Sequence, residues 1–165
     1  MMQHIFVGTS ILYPLIIADL KLNYTEFGIV IAVSSLIGGS FQVLFGIISR
    51  RISRHILLGL GNILLSFGTF LTGFVNNLLH FLSARVVSNI GVAPQHPMGT
   101  AIVTERFEGK SIGKAIGIHY GLAYIGNIIG PLFMTFLVVL MGWRNTVLLF
   151  SIPALLVGLM VIWYL

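Results

Sequence analysis

Arg85 is the residue whose position most needs a chemical explanation. It lies about seven residues inside a long apolar stretch, residues 78–104. A charge at the centre of a membrane helix costs roughly 2.5–3.5 kcal/mol on insertion scales. Asn89 and His96 follow at i+4 and i+11, so the three share one helical face. Such a stripe lines a path for a polar solute, with Arg85 meeting an anionic group or a proton-linked carboxylate. Alternatively it is structural, with Arg85 snorkelling outward or bonding backbone carbonyls. No acidic residue lies deep in an apolar stretch: Asp19 and Glu26 sit at ends on one side, Glu105 at an end on the other. Proton exchange inside the chain would therefore fall to His96 or His119, because histidine titrates near neutral pH. His119 reads equally well as a hydrogen-bonded packing residue. Pro97, directly after His96, lacks a backbone donor and predicts a kink there.

Weaker polar signals lie nearer the N-terminus. His4, Ser10 and Tyr13 precede Pro14; by themselves His4 reads as a membrane-interface residue and Tyr13 as a packed one. Ser35, Gly38, Gln42 and Ser49 form a stripe that reads mainly as helix packing, with Gln42 as a hydrogen-bonding contact between helices. Gly113, Gly117 and Gly121 recur every four residues, a face that lets another helix approach closely. Tyr120, Tyr124, Asn127 and Pro131 fall on a different face.

Composition sets the environment of these residues. Of 165 residues, 57% are hydrophobic and 8% are charged, and the mean hydropathy is +1.03. A soluble domain carries about 25% charged residues, so this chain cannot cover a globule with a wetted surface and is read as an integral membrane protein. The net charge of +5 does not indicate nucleic acid, since the basic residues are confined to short connections. The chain has no cysteine, which excludes disulfides and thiolate chemistry. It also has no nucleophile elbow, no zinc-protease motif and no phosphate-cradling glycine loop, so an enzyme is not expected, nor a metal site or bound cofactor.

Six segments reach the roughly 20 apolar residues that a membrane helix needs: about 1–20, 26–48, 55–75, 78–104, 112–141 and 143–165. Their connections are short. The connection from Ser49 to Arg54 holds Arg50, Arg51 and Arg54, a cluster that must lie in water between two spans. Arg106, Lys110 and Lys114 fall on the same side, against Lys21 and Arg144 on the other. Six cations against two place the arginine-rich connections and both termini in the cytoplasm of a multi-pass protein of the plasma or inner membrane. Neither end carries a polar flank, which suggests a piece of a longer chain.

At the arginine cluster the sequence resembles the major facilitator superfamily, whose loop there reads glycine, a small residue, then Asp-Arg-x-Gly-Arg-Arg/Lys. Gly46, Arg51, Arg54 and His55 match; Arg50 replaces the aspartate and Ser53 the glycine. Arg85 and Gly91 are similar to the Arg-x-x-x-Gly-x-Gly element of the fourth helix, with Asn89 at the first glycine. Gly126, Gly130 and Pro131 resemble the fifth-helix antiporter element, although Met134 and Thr135 replace its later glycines. Gly142-Trp143-Arg144 resembles the turn into the sixth helix. The run from Gln95, His96 and Pro97 to Phe107, with Gly113, Ala115 and Gly117, is similar to the fosmidomycin-resistance-like branch of efflux permeases.

The resemblance implies an all-α membrane fold of six transmembrane helices, one half-bundle of three plus three in inverted repeat, with the C-terminal six-helix half absent. It implies secondary transport of a small molecule, drug-like or anionic, by proton-coupled efflux through alternating access. Its partners would be the lipid bilayer, the solute, and a missing second half or second copy of the bundle. The first and fourth helices would line the cavity, His4 and Tyr13 with them, and Gly46, Arg50, Arg51 and Arg54 would form the cytoplasmic gating loop. Arg50 in place of aspartate reverses the charge of the family's lock. Gly113, Gly117, Gly121, Gly126, Gly130 and Pro131 either pack within the bundle or form the sliding interface of the fifth helix. The alternative is a truncated or half-size protein without transport activity, a scaffold that dimerises through its glycine face.

Overall fold

The structure, a computed structural model, describes residues 7–109 and 111–164. Among the described residues every regular element is helical. A 3₁₀ segment, Val7–Leu12, runs into α1 (Tyr13–Asp19); α2 is Tyr24–Ile48, α3 is Arg54–Thr72, α4 is Leu78–Val92, α5 is Gln95–Arg106 and α6 is Ser111–Tyr164. Three of these, α2, α3 and α6, are long and apolar enough to cross a membrane, and Gly8–Asp19 is a shorter apolar helix.

Local chemistry marks the helix starts. Asn23 accepts from the Glu26 amide at 2.8 Å while the Glu26 carboxylate accepts from the Asn23 amide at 2.9 Å, a reciprocal cap that opens α2. Asn77 caps α4 by accepting from the His80 amide at 2.8 Å. Pro14 occupies the first turn of α1, where its missing donor costs nothing.

α6 contains 54 residues, about 80 Å if it were straight. It is not straight. Gly142 has φ 76° and ψ 164°, a conformation that residues with a Cβ avoid. The Phe133 and Phe150 rings, 17 positions apart, meet at 5.9 Å. The chain therefore doubles back at Gly142 into two antiparallel limbs, 111–141 and 143–164.

α3 is the central helix, packed on α4 and on the second limb of α6. Small residues make both contacts close. A Cβ on Gly59 would come within 2.8 Å of the Gly158 carbonyl, and one on Gly91 within 2.2 Å of the Leu65 amide. Ser66 donates across to the Ser151 carbonyl at 2.7 Å. An apolar core of Leu12, Ile16, Val30, Val75, Phe81, Ala84, Met134, Leu137, Val147 and Phe150 fills the end of the bundle that bears Gly142.

The stretch expected as one helix over 78–104 is two helices that meet at Ala93–Pro94. The break falls three residues before Pro97. Pro94 is fully buried, and its ring fills the space beside Gly61, where an added Cβ would lie 2.4 Å away. Pro97 sits in the first turn of α5, where no intrahelical partner is needed.

Candidate functional site

A cavity of about 560 Å³ lies between the 3₁₀ segment, α1, α3, α4, α5 and the first limb of α6. Its lining runs from Thr72 and Phe81 toward the Gly142 end to His96 and Tyr120 toward the arginine end. Leu12, Ile16, Phe81 and Val147 of the apolar core line its Gly142 end. Tyr13, Arg85, Asn89 and His96 all line it, joined by Thr9, Ser88, Tyr124 and Asn127. The i, i+4, i+11 face survives the break at Pro94 because Ala93 and Pro94 both keep right-handed helical angles.

Arg85 is half-buried, and its guanidinium carbon stands 5.7 Å from the Tyr13 ring centroid, a cation–π contact. Nε of Arg85 and Nδ2 of Asn89 are buried and donate to nothing among the described residues. Asn89 is held by α2: a Cβ on Gly38 would approach the Asn89 Cβ to 2.9 Å. His96 stacks on Tyr120 with ring centroids 6.4 Å apart, and Tyr120 shares a 2.9 Å hydrogen bond with Thr100.

The remaining candidates lie elsewhere. His119 packs edge-on against Tyr120 at 5.3 Å and faces Gly99, outside the cavity lining. Gln42 is exposed and lines a smaller cavity of about 280 Å³ with Ser35, Gly38 and Gly39, which shares Asn89 and His96 with the main one. His4 lies outside the described residues. Two sets of polar contacts were not foreseen from spacing. Thr69 and Thr72 line the cavity while donating to Leu65 and Gly68 carbonyls one turn back. Gln95 and Asn62, both buried, bond at 3.2 Å between α5 and α3. A hydroxyl or amide inside an apolar span reads as packing until its neighbours are known.

Two ion pairs mark the two ends. Arg54 at the start of α3 pairs with Glu105 near the end of α5. Arg144 pairs with Asp19 at 2.7 Å. Arg50 and Arg51 are exposed, and Gly46 faces open space, with nothing near where its Cβ would be. Gly113, Gly117 and Gly121 likewise have nothing within 4 Å of an added Cβ, so this face is not packed within the bundle. Gly130 and Pro131 instead lie against Gly8, and Gly126 is half-buried. Among the described residues no cluster of potential metal ligands occurs.

The family model of the Major Facilitator Superfamily matches residues 4–165. A protein of Escherichia coli (strain K12) named "Probable L-galactonate transporter" is 30% identical over 146 residues, covering 88% of this chain and 32% of that protein. The riboflavin transporter RibZ of Clostridioides difficile (strain 630) is 29% identical over 87% of this chain and 31% of its own length. The chloramphenicol resistance protein CraA of Acinetobacter baumannii is 24% identical over 85% and 35%. The chain thus spans about a third of the length of the curated relatives it matches. With a family match across nearly its whole length, the chain belongs to the Major Facilitator Superfamily.

Proposed function

We propose that the chain is a six-helix bundle of a secondary transporter that carries a small molecule across a membrane by alternating access. The observation that carries this reading is the cavity around Arg85. A charged, hydrogen-bonding volume among otherwise apolar helices serves a polar solute better than it serves stability.

Six crossings follow if α4 and α5 together make one span and the two limbs of α6 make two. The ion pairs support that alternation. Arg54 and Glu105 belong to connections assigned to one side by charge, and Asp19 and Arg144 to the other. The six-to-two cation bias then puts the arginine end in the cytoplasm of the plasma membrane. The proton gradient is the proposed energy source, with His96, the histidine among the described lining residues, as the proton-exchanging group. Relatives are named both for resistance and for transport of a metabolite. Export against protons is the direction proposed here, and it would follow from the gradients, not from the cavity itself.

A second six-helix bundle completes the path, either further along the same polypeptide or on another copy. Two observations support this: the open Gly113–Gly121 face, and relatives about three times as long as the matched region. The test is solute flux in proteoliposomes holding the complete transporter. Arg85→Ala should abolish gradient-driven flux while the protein still reconstitutes; undiminished flux would remove Arg85 from the path.

A further inference from the structure

The chain has no carboxylate to pair with Arg85. It contains four acidic residues. Asp19 binds Arg144, Glu26 caps α2, Glu105 pairs with Arg54, and Glu108 is exposed in the connection after α5. None lines the cavity. The guanidinium rests on the Tyr13 ring, and its Nε is screened from solvent without an acceptor among the described residues. One turn on, the Asn89 amide nitrogen is in the same condition. Native proteins leave few buried donors unpaired, and each such group needs a reason. Two of them on adjacent turns of one cavity wall have one reason in common, an acceptor that arrives from outside the chain.

We propose that the cavity's substrate is a small organic anion whose carboxylate, or comparable oxyanion, seats on the Arg85 guanidinium with the Asn89 amide as second donor. The word substrate rests on the transport reading above; the binding does not. Arginine offers only donors, in a fork that matches two oxygens of a carboxylate. A cationic solute would be repelled here, and a neutral one would leave the charge unpaired in a low-dielectric site. A site built around unpaired donors strongly rejects an analogue that lacks the acceptor. Tyr13, Tyr120 and Tyr124 supply flat surfaces for the body of the solute. Gly38 backs Asn89, because its missing side chain lets α2 and the α4 wall stand close together at that position.

The test is binding to the purified protein in nanodiscs, followed by thermal stabilisation and titration calorimetry. The probes are matched anion and neutral pairs, gluconate with glucose and nicotinate with nicotinamide, together with nitrate alone. At least one anion should bind while its neutral partner does not. Arg85→Gln should abolish that binding, and Arg85→Lys should retain a weaker form of it, which separates lost charge from lost fold. Asn89→Leu should weaken it about tenfold, and the near-isosteric Asn89→Asp should abolish it by setting an anion against an anion. Equal binding of both members of a pair, binding unaffected by Arg85→Gln, or no binding by any of the three anions would overturn the proposal. Anion binding without flux would sink the transport reading alone. Flux of neutral solutes that no anion inhibits would sink this inference alone.

Discussion

Arg144 on α6 donates to the Asp19 carboxylate at 2.7 Å and, through its other terminal nitrogen, to the Gly73 carbonyl at 3.0 Å. Its guanidinium also covers the Trp143 ring at 4.5 Å. One side chain therefore ties the ends of α1 and α3 to the turn at Gly142. The pair is more than a third exposed, at 36% and 43%, so solvent screens the Coulombic part. Asp19→Asn should cost no more than about 1 kcal/mol. Arg144→Ala should cost more, because it also removes the carbonyl bond and the ring contact. Melting curves of the two variants in detergent check the order; equal losses would show that the Gly73 and Trp143 contacts contribute nothing.

Gly38→Ala is a probe of Asn89 that leaves the cavity lining chemically intact. The new methyl would meet the Asn89 Cβ at 2.9 Å and its backbone carbonyl at 3.1 Å. Overpacking of this kind costs about 1–3 kcal/mol, and here the displaced group is α4 itself. Solute affinity should fall together with stability. A variant that keeps wild-type affinity would show that the amide's position does not matter.

Gly117→Ala separates stability from function in the opposite sense. Nothing lies within 4 Å of the added Cβ, and exchanging glycine for alanine inside a helix gains up to about 1 kcal/mol. The isolated bundle should therefore melt at the same or a higher temperature. If this face meets a second bundle, flux through the complete transporter should nevertheless drop. Bulkier Gly117→Leu should deepen the loss; normal flux in both variants would mean that the face carries only lipid.

Arg54 and Glu105 join the start of α3 to the end of α5 at the arginine end, away from the cavity lining. Glu105→Gln should lower stability by no more than about 1 kcal/mol, since the two side chains of the pair are 37% and 57% exposed. Its larger effect should be on turnover rate, with apparent affinity unchanged. A change in affinity alone would contradict a role confined to that end.

Hydropathy and glycine placement carry most of the fold in the sequence. The reversal at Gly142 was legible from Gly142-Trp143-Arg144 because a positive φ there calls for glycine. The break between α4 and α5 was not, because two prolines lie three residues apart and the choice depends on which one packs. Pro94 finds room beside Gly61, a residue 33 positions earlier, and local sequence holds no sign of that. The Arg85–Asn89–His96 wall was legible from helical spacing alone. Its opposite wall, with Thr69 and Thr72, was not, since a threonine bonded to its own helix looks the same in a packed interface. The lack of a carboxylate for Arg85 became meaningful only once the partners of Asp19 and Glu105 were known.

The most direct measurement of the central claim uses the absence of native cysteine. A thiol introduced as Tyr124→Cys, on the exposed part of the cavity lining, with any cysteine outside this chain replaced by serine, is challenged with a membrane-impermeant thiol reagent from each face of sealed vesicles holding the complete transporter. An alternating-access path predicts labelling from both faces, with solute slowing the reaction. A thiol reached from neither face, or labelled at a rate that no transported solute alters, would contradict it.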